Sequence, residues 1–172
     1  VAFSFHFNGP LTPETRTAYP WIFPTIAALQ RRYELIGHAH PMMWDRAAPR
    51  YRKVGIEAVQ DFTEVCRRAD VYVCDNSSTL FAFAATGRPV VVLNPPWYDR
   101  RVDHGLRFWE AAEVGVNCND PAQLAACIDR ALEDSAEQKA KREAALDLVY
   151  AYRTGAGKRA ADVLMDWAGP TQ

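Results

Sequence analysis

The chain has 172 residues, enough for one domain with a buried core. Hydrophobic residues make up 49% and charged residues 24%, the ordinary make-up of a globular protein, and a net charge of -1 argues against electrostatic binding of nucleic acid. The cysteines at 66, 74, 118 and 127 show no Cys-x-x-Cys spacing, and no apolar run is long enough to cross a bilayer, so neither a zinc site nor a membrane span is expected.

Val1 to Phe7 is rich in β formers and reads as a strand, closed by an Asn8-Gly9-Pro10 turn. The chain thus begins in mid-strand, which leads us to expect a preceding domain outside it. Thr12 and Pro13 form a helix start, with Thr12 as N-cap and Pro13 at the first position. Pro20 and Pro24 interrupt the helical pattern, so Tyr19 to Arg32 is expected as a kinked or restarted helix burying Trp21, Ile22, Ile26 and Leu29. Glu34 to His38 is a second strand, bounded by Gly37. It runs into His38-Ala39-His40-Pro41, where alternation places both imidazoles on one side if the strand persists. No third ligand is visible nearby, so a phosphate contact or acid/base role suits His40 better than metal; a histidine satisfied by loop carbonyls is equally consistent.

Met42 to Lys53, with Arg46, Arg50, Arg52 and Lys53 around Pro49, is expected as a basic loop or short helix. Ile56 to Val59 is a third strand, and Asp61-Phe62-Thr63-Glu64 is a capping box opening a helix through Arg68.

Asp70 to Leu93 organises the rest. Val71 to Cys74 is a short apolar strand. Asp75-Asn76-Ser77-Ser78 is a cluster of capping residues, and Thr79 to Thr86 carries Leu80, Phe81, Phe83 and Ala84 at helical spacing. Gly87 stops that helix, Pro89 prevents its continuation, and Val90 to Leu93 is a further apolar strand. Both strands are too continuously apolar to have a wet face, as in a parallel sheet covered by helices. The turn between strand and helix leaves backbone N–H groups for an anion; it also fits a plain helix cap. Asn76, Ser77, Ser78 and Thr79 are our candidates for holding a nucleotide phosphate.

Asn94-Pro95-Pro96-Trp97-Tyr98 comes next, on the same rim. Asn94 and Tyr98 are candidates for a base, ribose or head group, and Trp97 is a candidate plug of the core. Arg100, Arg101 and His104 could meet phosphate or a partner domain. Leu106 to Val114 is helical in pattern, and Val116 to Cys118 is a last strand. Asp120-Pro121 starts a helix to Leu132 with Leu124, Ile128, Ala131 and Leu132 inward. Glu137 to Tyr152 buries Leu146, Val149 and Tyr150, and a turn at Gly155 precedes a terminal helix from Lys158 to Trp167 that presents Val163, Leu164 and Trp167.

Strands alternating with helices predict an α/β fold: a doubly wound parallel sheet of about six strands, Rossmann-like. No Gly-x-Gly-x-x-Gly comes after the first strand, and there is no P-loop lysine motif or nucleophile elbow, so an ordinary NAD or FAD site is disfavoured and no cofactor is expected.

With these pieces in place, the chain resembles the nucleotide-binding, carboxyl-terminal domain of the CDP-glycerol glycerophosphotransferase (teichoic-acid polymerase) family. The resemblance rests on Asp75-Asn76-Ser77-Ser78 against the family's Asp-Tyr-Ser-Ser, on Phe81, Phe83 and Pro89, on His40-Pro41, and on Tyr152 to Arg159 before the last helix. Asn76 replaces the family's tyrosine, and Ala82 stands where related enzymes place an acid against the donor ribose. The resemblance implies one half of a GT-B fold. It also implies transfer of a glycerol-phosphate or sugar unit from a CDP/UDP-type donor to a hydroxyl acceptor. Ser77 and Ser78 would hold the phosphates, His40 would be catalytic, and no metal or cofactor would be needed. The acceptor site would come from the preceding domain, in the cytoplasm, with a membrane-associated acceptor possible through that domain. A UDP-sugar epimerase-like enzyme and a non-catalytic assembly module of the same fold are the alternatives.

Overall fold

A computed structural model describes residues 1–8, 16–75, 77–98 and 111–169. The readings placed on Gly9, Pro10, Thr12, Pro13, Asn76, Arg100, Arg101, His104 and 106–110 fall outside them.

Six parallel strands form one sheet in the order β3-β2-β1-β4-β5-β6. They are β1 (Ala2–Phe5), β2 (Ile36–Ala39), β3 (Glu57–Ala58), β4 (Tyr72–Cys74), β5 (Val90–Leu93) and β6 (Val116–Cys118). This is the doubly wound, Rossmann-like architecture that the alternation of elements predicts. Both faces are buried because both are covered. Phe3, Phe5, Val73, Val91 and Leu93 pack on one side against α1 (Tyr19–Leu29), α2 (Pro41–Lys53) and α5 (Leu124–Glu133). Ala2, Ile36, Tyr72, Cys74, Val90 and Val92 pack on the other against α3 (Phe62–Arg68), α4 (Thr79–Ala84) and α6 (Ala136–Val149).

Local chemistry fixes most of these elements. Pro20 sits in the first turn of α1, where its missing N–H costs nothing, and Pro24 lies inside the same continuous helix. The buried face of α1 is Tyr19, Ile22, Ile26 and Leu29; Trp21 lies half-buried at its margin. Asp61 caps α3 by accepting from the Thr63 amide at 2.8 Å. Gly87 stands just past α4 at φ +82°, a conformation a residue with a Cβ resists.

Several expectations are corrected. Of the two forms expected for Met42 to Lys53, loop or short helix, it takes the helix, the 13-residue α2 (Pro41–Lys53), with His40 as its N-cap and Pro41 at its first position. Gly37 does not bound β2 but lies inside it, and a Cβ there would stand 2.3 Å from the Tyr51 ring. Asp120 caps a 3-10 turn, Pro121–Gln123, ahead of α5, and Cys127 rather than Leu132 completes the inward face; Leu132 is 45% exposed. In α6 Leu146 is buried, but Val149 faces out, and Arg142 is buried instead through a bidentate pair with Asp134 and a bond to the Gly87 carbonyl. The described end of the 106–114 segment is a 3-10 turn, Ala111–Val114. The terminal helix α7 (Ala156–Ala168) buries none of its residues.

Candidate functional site

All six strands run in parallel, so their carboxyl ends share one rim. The strand order reverses between β1 and β4, and ligands of open α/β sheets bind outside the carboxyl ends at such a point. The first side chain past β4 is Asp75, which is fully buried. It does not cap α4. One carboxylate oxygen accepts from the His6 amide at 2.8 Å, and the other accepts from the Thr17 hydroxyl at 2.8 Å and the Ala18 amide at 2.9 Å. Asp75 thereby ties the exits of β1 and β4 to the start of α1. Burial pushes its carboxyl above the usual carboxylate range, and these three donors pull it back.

His40 leaves β2 and becomes the N-cap of α2; its Nδ1 accepts from the Met42 amide at 3.2 Å. The β1–β2 register pairs Ser4 with His38 and Phe5 with Ala39, so one step further brings His6 beside His40. Their ring centroids are 5.3 Å apart, and the Phe7 ring lies 4.7 Å from His40. Burial lowers the His40 pKa first, and the neighbouring His6 lowers it further. β2 ends at Ala39, before His40, and His38 plays another part. Its Nδ1 lies 2.7 Å from the Ser4 hydroxyl, in a buried site.

His38 also gives the clearest pH dependence. Burial is the main cause that pushes its pKa from 6.5 down to about 4, against a hydrogen bond to the Gln60 backbone. Between those values the unfolded chain binds a proton that the native chain does not. Stability is therefore expected to fall as pH drops from about 6.5 to about 4, by roughly 3 kcal/mol at the lower end. Urea titrations across this range measure the slope, and His38→Gln should flatten it.

At the bend after β4, Ser78 is exposed and Ser77 is buried. The Ser77 and Thr79 hydroxyls lie 2.8 Å apart, and Thr79 also meets the Tyr72 hydroxyl at 2.8 Å. The Ser77 amide donates to the Asp75 carbonyl, and the Leu80 and Phe81 amides turn back to Ser77 and Ser78. Ser78 therefore offers the outward-facing groups of this bend, while Ser77 and Thr79 brace it. Helix α4 has 6 residues, and Ser78, its N-cap, makes no side-chain cap bond.

On the next exit, the Asn94 side-chain amide donates to Asn119 at 2.7 Å. Trp97 remains 37% exposed and donates its indole N–H to the Arg16 carbonyl, whereas Tyr98 is the buried ring of the pair. The structure thus sets His40 and the Ser77–Thr79 bend on the exits flanking β1, with Asn94 one strand further out. Sequence reading missed His6 and the bracket made by Asp75. The available signal was an aspartate directly after a wholly apolar strand.

A hollow of about 600 Å³ lies elsewhere, lined by Val1, Tyr33, Glu34, Glu57, Arg68 and Asp70. These residues sit at the amino ends of the strands, away from every group named above, so the hollow does not mark the candidate site. Among the described residues, no cluster of His, Cys, Asp and Glu is arranged to hold a metal ion. Among them also, no helix is long and apolar enough to cross a membrane.

Residues 24–164 match the family model described as CDP-Glycerol:Poly(glycerophosphate) glycerophosphotransferase. No curated protein matches the sequence significantly. Among solved structures, the C-terminal CMP-Kdo binding domain of WaaA from Acinetobacter baumannii is similar. It is 11% identical, with 84% of this chain and 88% of that one covered, at a TM-score of 0.51. The catalytic domain of cholesterol-alpha-glucosyltransferase from Helicobacter pylori is 16% identical over 87% of this chain and 97% of that one, at a TM-score of 0.49. The likeness to the first is one of fold.

Proposed function

The chain belongs to the CDP-glycerol:poly(glycerophosphate) glycerophosphotransferase family, and we propose that it is the donor-binding domain of such a transferase, taking a cytidine nucleotide on its carboxyl rim. The observation that carries this reading is the reach of the family match, which spans both the His40-Pro41 exit and the Ser77–Ser78 bend. These lie on the exits flanking β1 in the β2-β1-β4 order. The WaaA domain, which is named for binding CMP-Kdo, supports cytidine over other bases.

The chemistry needs charge stabilisation on a departing nucleoside phosphate. Fixed N–H and O–H donors supply that without a metal. Ser78 offers its hydroxyl and amide at the bend, Ser77 and Thr79 hold the bend in shape, and His40 presents an N–H from the start of α2. Asn76 lies outside the described residues and belongs to the same bend in sequence. Asn94 and Tyr98 would bound the nucleoside on the side of β5. The acceptor hydroxyl, its activation and any membrane attachment would come from a preceding domain in the cytoplasm. The transferred group would be glycerol phosphate.

Calorimetry with CDP, UDP and GDP tests the reading. CDP should bind most tightly, and the double variant Ser77→Ala, Ser78→Ala should lose at least about tenfold in affinity, the loss of one charge-assisted hydrogen bond. No binding by any nucleotide would overturn the donor reading. It would favour an assembly module instead, in keeping with Ala82, which is exposed on α4 and offers no group to a ribose.

A further inference from the structure

His6 and His40 are adjacent imidazoles with opposite hydrogen-bonding constraints. The His40 Nδ1 accepts the Met42 amide at 3.2 Å, so it has a lone pair there and carries its proton on Nε2. Adding a second proton would break that bond and place positive charge at the N-terminus of the 13-residue α2, where the helix dipole opposes it. His6 is held the other way. Its Nδ1 lies 2.8 Å from the Phe7 carbonyl oxygen, which can only accept, so His6 donates from Nδ1 and has its lone pair on Nε2. A proton added at that Nε2 costs no existing bond. The ring stacks on Phe7 at 4.3 Å between centroids, and its main chain is pinned to Asp75.

We propose that His6 is the second imidazole of the donor site, and the one that takes up a proton when a nucleotide phosphate binds, while His40 acts as a fixed, neutral N–H donor. This rests on the donor reading above. A phosphate bridging rings whose centroids are 5.3 Å apart receives one N–H from His40. It accepts a second from His6 only when His6 is an imidazolium. The proton comes from solvent, and no bond is broken. Among the described residues, the titratable groups facing His6 are His40 at the start of α2 and the buried Asp75 just past β4, which already accepts three hydrogen bonds.

The test is calorimetry of CDP binding at about pH 7 in two buffers of different ionisation enthalpy. For the unsubstituted chain, the difference in heat should report uptake approaching one proton per CDP. His6→Asn keeps a side-chain N–H for the Phe7 carbonyl and cannot titrate; His6→Gln places an N–H near Nε2. Both should abolish the uptake and weaken binding by roughly tenfold, with unfolding curves unchanged. His40→Gln should weaken binding but retain the uptake. CDP binding without uptake, or uptake that persists in both His6 variants, would overturn the proposal and leave the donor reading standing. Absence of CDP binding by the unsubstituted chain would overturn both.

Discussion

Asp75→Ala is expected to destabilise the chain by about 4 kcal/mol or more, because it strips the acceptor from three donors at once, each worth roughly 1–3 kcal/mol when left unpaired. Two of the three, the amides of His6 and Ala18, are main-chain groups that no change of rotamer can re-pair. The third, the Thr17 hydroxyl, also accepts from the Tyr19 amide at 3.2 Å, so the start of α1 loosens with it. Asp75→Asn separates charge from geometry. The carboxamide keeps the shape and one acceptor oxygen but turns an N–H toward donors on the other side. The burial of the charged form that asparagine avoids is itself costly, since burial raises the Asp75 pKa. Asparagine should therefore cost well under half as much as alanine in urea denaturation. Equal losses would show that Asp75 acts by charge rather than as a bracket.

Gly37→Ala should cost about 3 kcal/mol, at the upper end for overpacking, because the space for its Cβ is already filled. The added atom would lie 2.3 Å from Cγ of Tyr51 and 2.5 Å from both ring carbons next to it. Tyr51 is fully buried, and its hydroxyl donates to the His38 carbonyl at 3.2 Å. The ring can move only by lifting α2 from the sheet, and His40 caps that helix. Nucleotide affinity should fall along with stability. In the double variant with Tyr51→Leu, the loss should be smaller than the sum of the two single losses, which is the sign of a shared clash. Additive losses would place the cost elsewhere.

The fold was legible because it is written in local patterns. The apolar runs at Val71–Cys74 and Val90–Leu93, the Asp61 cap and Gly87 each specify their own element, and six strands in parallel result from their alternation with helices. The misread elements are those decided by contacts far apart in sequence. Gly37 looks like a terminator until Tyr51, in the next helix, fills the space above it. Met42 to Lys53 stays undecided between loop and short helix because of Pro49, until Ala47, Ala48 and Tyr51 bury one face of it. The site was legible in part for the same reason. His40-Pro41 and the serine bend are contiguous motifs. The Asp75 bracket joins residues up to 69 positions apart, and the His6–His40 pair exists only through the β1–β2 register.

The most direct measurement of the donor site is an amide NMR titration of the chain with CDP. The carboxyl-rim reading predicts saturable shifts concentrated at His6, at His40 to Met43, at Ser77 to Leu80 and at Asn94. Shifts concentrated instead around Tyr33, Glu57 and Asp70, on the opposite rim, would contradict it, as would a spectrum that CDP leaves unchanged.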